Sequence, residues 1–189
     1  MTRVLTTIHL CVLGLWAGAL LMAGGAAAVI FPTVKDLQAQ VPALSTYTGE
    51  HWRLVGGRVA NKIFLIADIA QLILAGTALL TLAMLGLRRA PAMRAGRAAI
   101  VWIAGLGASL MLLSYHLLVL QPRMGANLRK YWDAAGAGQN VQAQEFRLAF
   151  DADHPTASRV LITLAVLVVI TLIAAVWQNT RQGSEAGRS

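Results

Sequence analysis

The sequence predicts an all-α integral membrane protein, a four-helix bundle of up-down topology with both termini cytoplasmic. Three observations lead there. Of 189 residues, 57 % are hydrophobic and 13 % charged, with mean hydropathy +0.62, far from the balance of a water-soluble domain. Four apolar windows, 5–31, 59–87, 98–120 and 157–177, each reach the roughly 20 residues that a bilayer-crossing helix needs. The short segment "RRAPAMRAGR" at 88–97 holds four arginines and no acid, and positive charge in short loops marks the cytoplasmic side. Residues 1–178 therefore read as one four-span domain, and 179–189 as a polar, mobile tail.

The first window begins like a signal peptide, with Arg3, an apolar run and the small cluster "AGGAAA". The run outlasts the usual 7 to 15 residue core of such a peptide and carries His9 and Trp16, so a retained helix is expected. Gly14, Gly18 and Gly25 lie near one of its faces. Lipid gives no hydrophobic reward for helix association, so a seam of small residues is expected to pack, within the chain or between two copies. Cys11 is the only cysteine, which rules out an intrachain disulfide.

Between the first two windows, residues 32–58 contain Pro32, Pro42, "TYTGEHWRL" and Gly56–Gly57, predicting turns and one short interfacial helix. The third connection is longer. Leu128, Tyr131 and Trp132 continue the third span as helix beyond a Pro122 kink, "GAG" turns the chain, and "NVQAQEFRLAF" returns as an amphipathic helix. Trp16, Trp52, Trp132 and Trp177 are read as interfacial anchors.

Net charge is +8. The arginines flank membrane ends and no basic patch is interleaved with exposed aromatics, so the expected partner is a bilayer with anionic headgroups and not nucleic acid. The expected location is the bacterial inner membrane. There is no GxSxG, no HExxH and no carboxylate pair at catalytic spacing, so a non-enzymatic role is favoured. "DAD" at 151–153 reads as capping or solvated acids.

Within the second window, "IFLIADIAQLILAG" sets Asp68 in an apolar run. An ionisable group at that depth is costly, so it marks a proton, cation or ligand site, or else a hydrogen-bonded group that fixes helix register. Asn61, Gln71 and Ala75 share its helical face, while Trp102, Gly105, Ser109 and His116 share a face of the third span. Counting from the window ends at 1.5 Å per residue puts Ser109 level with Asp68, and His116 level with Asn61 and Lys62. With His154 these make the candidate site: Asp68, His116, His154, Ser109, Gln71, Asn61 and Lys62. The same count places His9 near the inner face and about 15 to 20 Å from His116, which keeps the two from sharing a haem iron. His116, His154 and His51 remain weak metal candidates near the outer face. No HxxxH or CxxC spacing supports them, so no cofactor is expected; haem b or a metal ion is the alternative.

"HLCVLGLWAGALLMAGGAAAVIFP" resembles the first helix of the membrane family typified by transmembrane protein 205, with His9, Trp16, Gly18 and Pro32 matching its pattern. "GGRVANKIF" resembles that family's entry to the second helix, Pro122 its proline after the third, and "FDADHPTAS" its entry to the fourth through Phe150, His154 and Ser158. The resemblance covers residues 5 to 177. It implies four spans, membrane residence and an association with drug and metal-complex resistance. The chain departs from the pattern in Pro155 and in Leu161, where a polar residue is expected. A weaker resemblance, to four-helix haem proteins of the protoporphyrinogen oxidase type and copper-resistance membrane domains, rests on a histidine before Trp and Gly. The expected function is small-solute or metal-related transport, binding or tolerance. The alternatives are a haem or metal-dependent membrane oxidoreductase and a structural subunit of a membrane complex.

Overall fold

The computed structural model describes residues 2–93 and 96–186, with side chains for all of these except 89–93 and 181–186. Arg94 of the arginine-rich segment and residues 187–189 of the tail lie outside the described residues. The helices are α1 (Thr2–Asp36), α2 (His51–Met93), α3 (Arg97–Tyr115), α4 (Gln121–Gly136) and α5 (Asn140–Ala186). Among the described residues, four helical stretches are long and apolar enough to cross a membrane: Thr2–Asp36, His51–Arg88, Arg97–Gly136 and Asn140–Thr180. Only 28 to 39 % of each apolar window is buried inside the protein. Leu21, Ile66, Met111 and Ile162 are among the large apolar side chains left exposed, an arrangement unfavourable in water and neutral against acyl chains. The chain is a multi-pass integral membrane protein.

The helices overrun the apolar windows. Residues 51–58 are helical, so the connection from α1 to α2 keeps only a 3-10 turn at Pro42–Leu44 in place of the expected interfacial helix. A hydropathy window stops at the polar residues of "EHWRL", but Leu54 is fully buried there and Gly56 lets the ring of Phe31 approach to 3.1 Å of where a Cβ would stand. Packing therefore carries the helix beyond its apolar part. At the other end α5 continues through the polar tail to Ala186.

Prolines interrupt the backbone ladder without ending the helices. Pro32 lies inside α1 and Pro155 inside α5, each removing one i→i−4 hydrogen bond. Pro122, near the start of α4, brings a third adjustment. Its ring crowds the carbonyl four residues earlier, and the chain responds with a π turn, His116–Leu120, in which Gln121 N–H reaches the His116 carbonyl. The predicted return follows: α4 ends at Gly136, Gly138 takes φ +70°, and α5 begins at Asn140. Gly138 is required twice over, because a Cβ there would also lie 2.9 Å from Thr46 Oγ1.

The chain divides into two compact units. The first comprises Met1–Leu21, Ile69–Leu113 and Ile162–Ser189. Leu13, Trp16, Leu85, Leu106, Leu164 and Val168 fill its core, with Ala78, Ala99 and Ala175 between them. Trp16 is thus a core residue and not an interfacial anchor. Two helices meet tightly at Gly105, where a Cβ would stand 2.3 Å from Thr171 Oγ1. Gly14, Gly18 and Gly25 meet nothing within 4 Å. In this part of α1 the face that packs is that of Leu13, Trp16, Ala17 and Leu20, which recur at helical spacing.

The second unit comprises Met22–Asp68 and Ser114–Leu161. Tyr47, Leu54, Tyr131, Ala134, Ala135 and Ala143 form its core, with Leu44, Leu128, Trp132 and Phe146 packed against it. The Tyr47 and Tyr131 hydroxyls are 2.9 Å apart. Asn140 accepts from Thr48 N–H at 2.9 Å and donates to the Thr46 carbonyl at 3.1 Å, tying the turn before α5 to the α1–α2 connection.

Candidate functional site

In the second unit, Ala60, Asn61, Phe64 and Asp68 recur on one face of α2, and Phe150, His154, Ser158 and Leu161 on one face of α5. Together with Phe31 of α1, His116 of the π turn and Met124 and Leu128 of α4, they enclose a cavity of about 370 Å³. Its wall is mainly apolar and aromatic. The entry residues of the fourth span, Phe150, His154 and Ser158, are brought together on it, and Leu161 continues their line.

The central polar contact is between Asp68 and His116. Nε2 of His116 lies 3.1 Å from Oδ1 of Asp68, and both side chains are buried. His116 opens the π turn, and such turns concentrate at functional sites because they displace side chains from α-helical register. The other ring nitrogen, Nδ1, is buried without a hydrogen-bond partner in the protein. An orphaned buried polar atom costs about 1 to 3 kcal/mol, so its persistence invites a functional explanation.

The pairing of Asp68 with His116 corrects the depth count. Ser109, expected level with Asp68, donates to the Gly105 carbonyl of its own helix at 2.8 Å. His116, which contacts Asp68, lies seven residues further along the chain than Ser109, about 10 Å of helix. The count of depth starts from the ends of the apolar windows. In fact α2 starts at His51 and the third span continues past Leu120 to Gly136, so both reference points move.

The remaining predicted residues divide. Asn61 and His154 line the cavity, and the His154 ring lies 5.7 Å from that of Phe150. Gln71 is buried in the first unit, and Lys62 lines a separate groove with Arg58 and Arg129. The "DAD" acids are not simply solvated: Asp153 takes a two-pronged contact from Arg123, 2.6 Å on each oxygen, and Asp151 lines the cavity. Arg53 and Arg147 also border it, both paired with Glu50.

Two of the four histidines are engaged on both nitrogens. His51 accepts from Val41 N–H at 3.1 Å and donates to the Tyr47 carbonyl at 2.9 Å. His9, in the first unit, contacts Thr81 Oγ1 at 2.7 Å and Trp102 Nε1 at 2.9 Å. Neither offers a free lone pair to a metal. Among the described residues, no three His, Cys, Asp or Glu side chains gather in a group able to hold a metal ion.

Sequence reasoning missed the Trp102–His9 contact and the tyrosine pair, although the helical face Trp102–Gly105–Ser109 pointed toward the first. Comparison of the chain with protein-family models, with curated proteins and with solved structures finds no match.

Proposed function

We propose that this protein binds a small, largely apolar cation in the cavity of its second unit and exchanges it for a proton held between Asp68 and His116, in the service of solute transport or tolerance. The contact between those two side chains in the cavity wall is the observation that carries the reading. With one exchangeable proton the pair is neutral. Without it the pair carries a net negative charge in low-dielectric surroundings, which is unfavourable unless a cation sits nearby. Phe31, Phe64 and Phe150 on the same wall supply the ring faces that attract an organic cation. The proposed setting is the bacterial inner membrane with both termini cytoplasmic, supported by the arginine-rich 88–97 segment. Membership of the transmembrane protein 205 family is proposed with it, supported by the convergence of Phe150, His154 and Ser158 on one cavity.

The test uses purified protein in weakly buffered detergent solution with ethidium as the probe. Ethidium should bind more tightly as pH rises, by at most about tenfold per pH unit, and should release protons on binding. Asp68→Asn keeps the shape and a hydrogen bond but has no proton to exchange, so release should vanish. Binding without proton release, unchanged in Asp68→Asn, would sink the exchange and leave Asp68 as a device for helix register.

A further inference from the structure

We infer that a groove between α2 and α4 in the second unit is a binding site for the phosphate of an anionic phospholipid. Arg58 and Lys62 stand one turn apart on α2 and face Arg129, Trp132 and Asp133 of α4 across it. All three cations are exposed. The ion pairs formed among the described residues use Glu50, Asp68 and Asp153 as their acids and none of these cations. The groove therefore carries three cations outside those ion pairs against one acid, a net excess of positive charge.

A second observation concerns Trp132. The Arg58 guanidinium lies 5.4 Å from its ring centroid, a stack that fixes the direction of the guanidinium's remaining donors. The Trp132 indole N–H has no acceptor in the protein. Three cations and an unused indole donor suit an anion rich in acceptor oxygens, which a phosphodiester is.

The choice of a lipid over free phosphate comes from what lies below the cations. One turn from Lys62 on α2, Leu65 and Ile66 are 51 and 66 % exposed, and there the helix enters its apolar run. A phospholipid satisfies both parts at once, its headgroup on the cations and an acyl chain along the helix. Basic side chains beside a tryptophan at the edge of a span occupy the depth at which headgroups lie. This inference goes beyond the cavity reading and does not rest on it.

Native mass spectrometry of the full chain, released from micelles containing equal phosphatidylglycerol and phosphatidylcholine, tests it. Wild type should retain phosphatidylglycerol preferentially. The triple variant Arg58→Gln, Lys62→Gln, Arg129→Gln should lose about tenfold or more of that preference. A control triple of equal charge, Arg3→Gln, Lys130→Gln, Arg159→Gln, should keep it. Asp133→Asn removes the groove's one acid with little threat to folding and should raise retention. Excess inorganic phosphate should leave the lipid in place, and Asp68→Asn should have no effect. Equal retention of the two lipids, equal loss in both triples, no gain in Asp133→Asn, or displacement by inorganic phosphate would each overturn the assignment.

Discussion

Trp102 donates its indole N–H to Nε2 of His9 at 2.9 Å, and that bond fixes which nitrogen of the imidazole carries the proton. An indole nitrogen only donates, so Nε2 is bare and the ring is neutral. Nδ1–H then donates to Thr81 Oγ1 at 2.7 Å, and the threonine hydroxyl in turn donates to the Thr77 carbonyl at 2.8 Å. Three helices of the first unit are joined by a chain with a single direction.

Breaking that chain at either end should destabilise the protein. Trp102→Phe keeps an aromatic ring but strands Nε2, and Thr81→Val strands Nδ1–H. Each should cost about 1 to 3 kcal/mol, because a buried polar group is left unsatisfied. The double variant should cost less than the two single costs together, since both act on one network. Thermal unfolding in detergent reads this; unchanged midpoints in both singles would refute the network.

Gly105 should tolerate no side chain. Its would-be Cβ lies 2.3 Å from Thr171 Oγ1 and 3.4 Å from Thr171 Cβ, and Thr171 is held by a 2.7 Å bond to the Leu167 carbonyl. Gly105→Ala should destabilise by about 1 to 3 kcal/mol through overpacking. Gly107→Ala, in open space, should be near neutral. Adding Thr171→Ala to Gly105→Ala should recover part of the loss, and failure to recover would place the clash elsewhere.

Acid should remove a contribution from Glu50. Burial alone would raise its carboxyl, but the hydrogen bond and charge of Arg53, with Trp52 and the charge of Arg147, outweigh it and hold the group below its ordinary 4.5. A depressed carboxyl stabilises the fold above its unfolded value and ceases to do so as pH falls through the folded one. These are exposed pairs, so the effect is about 1 kcal/mol or less. The acid limb of the unfolding midpoint against pH, below 4.5, should be shallower in Glu50→Gln than in wild type. Identical limbs would show that Glu50 contributes nothing.

Orientation is open to labelling. Cys11 is free and exposed, so it is first replaced by alanine. A cysteine at Ala92 should then resist an impermeant thiol reagent in intact cells, whereas one at Ala137 should react. The reverse pattern would place both termini outside.

What could be read from the chain depended on what kind of signal each feature left. The four spans, the Gly138 turn and the returning helix at Asn140 are written in composition and turn chemistry, which act locally. Asp68 and His116 each drew notice as costly groups in apolar runs. Their meeting could not be read, because register between helices depends on where each helix truly begins and on a π turn that shifts every later residue. The anchor reading of Trp16 fails for a related reason. Tryptophan is enriched at membrane interfaces, but Trp16 stands near the middle of α1, and only its packing shows it to be core.

Pro32 in α1, the π turn at His116–Leu120 and Pro155 in α5 give the second unit an uneven elasticity. Each is a point where a helix can bend without breaking a bond, because the regular bond is already missing or displaced. All three lie within a residue or so of the cavity lining, beside Phe31, at His116 and next to His154. The cavity's frame is therefore hinged at its own lining, and bending on the microsecond to millisecond scale of collective motions can widen the cavity while every span stays folded. Pro32→Ala and Pro155→Ala stiffen those hinges, so under the proposed cation binding stopped-flow ethidium fluorescence should show slower entry and release with little change in affinity.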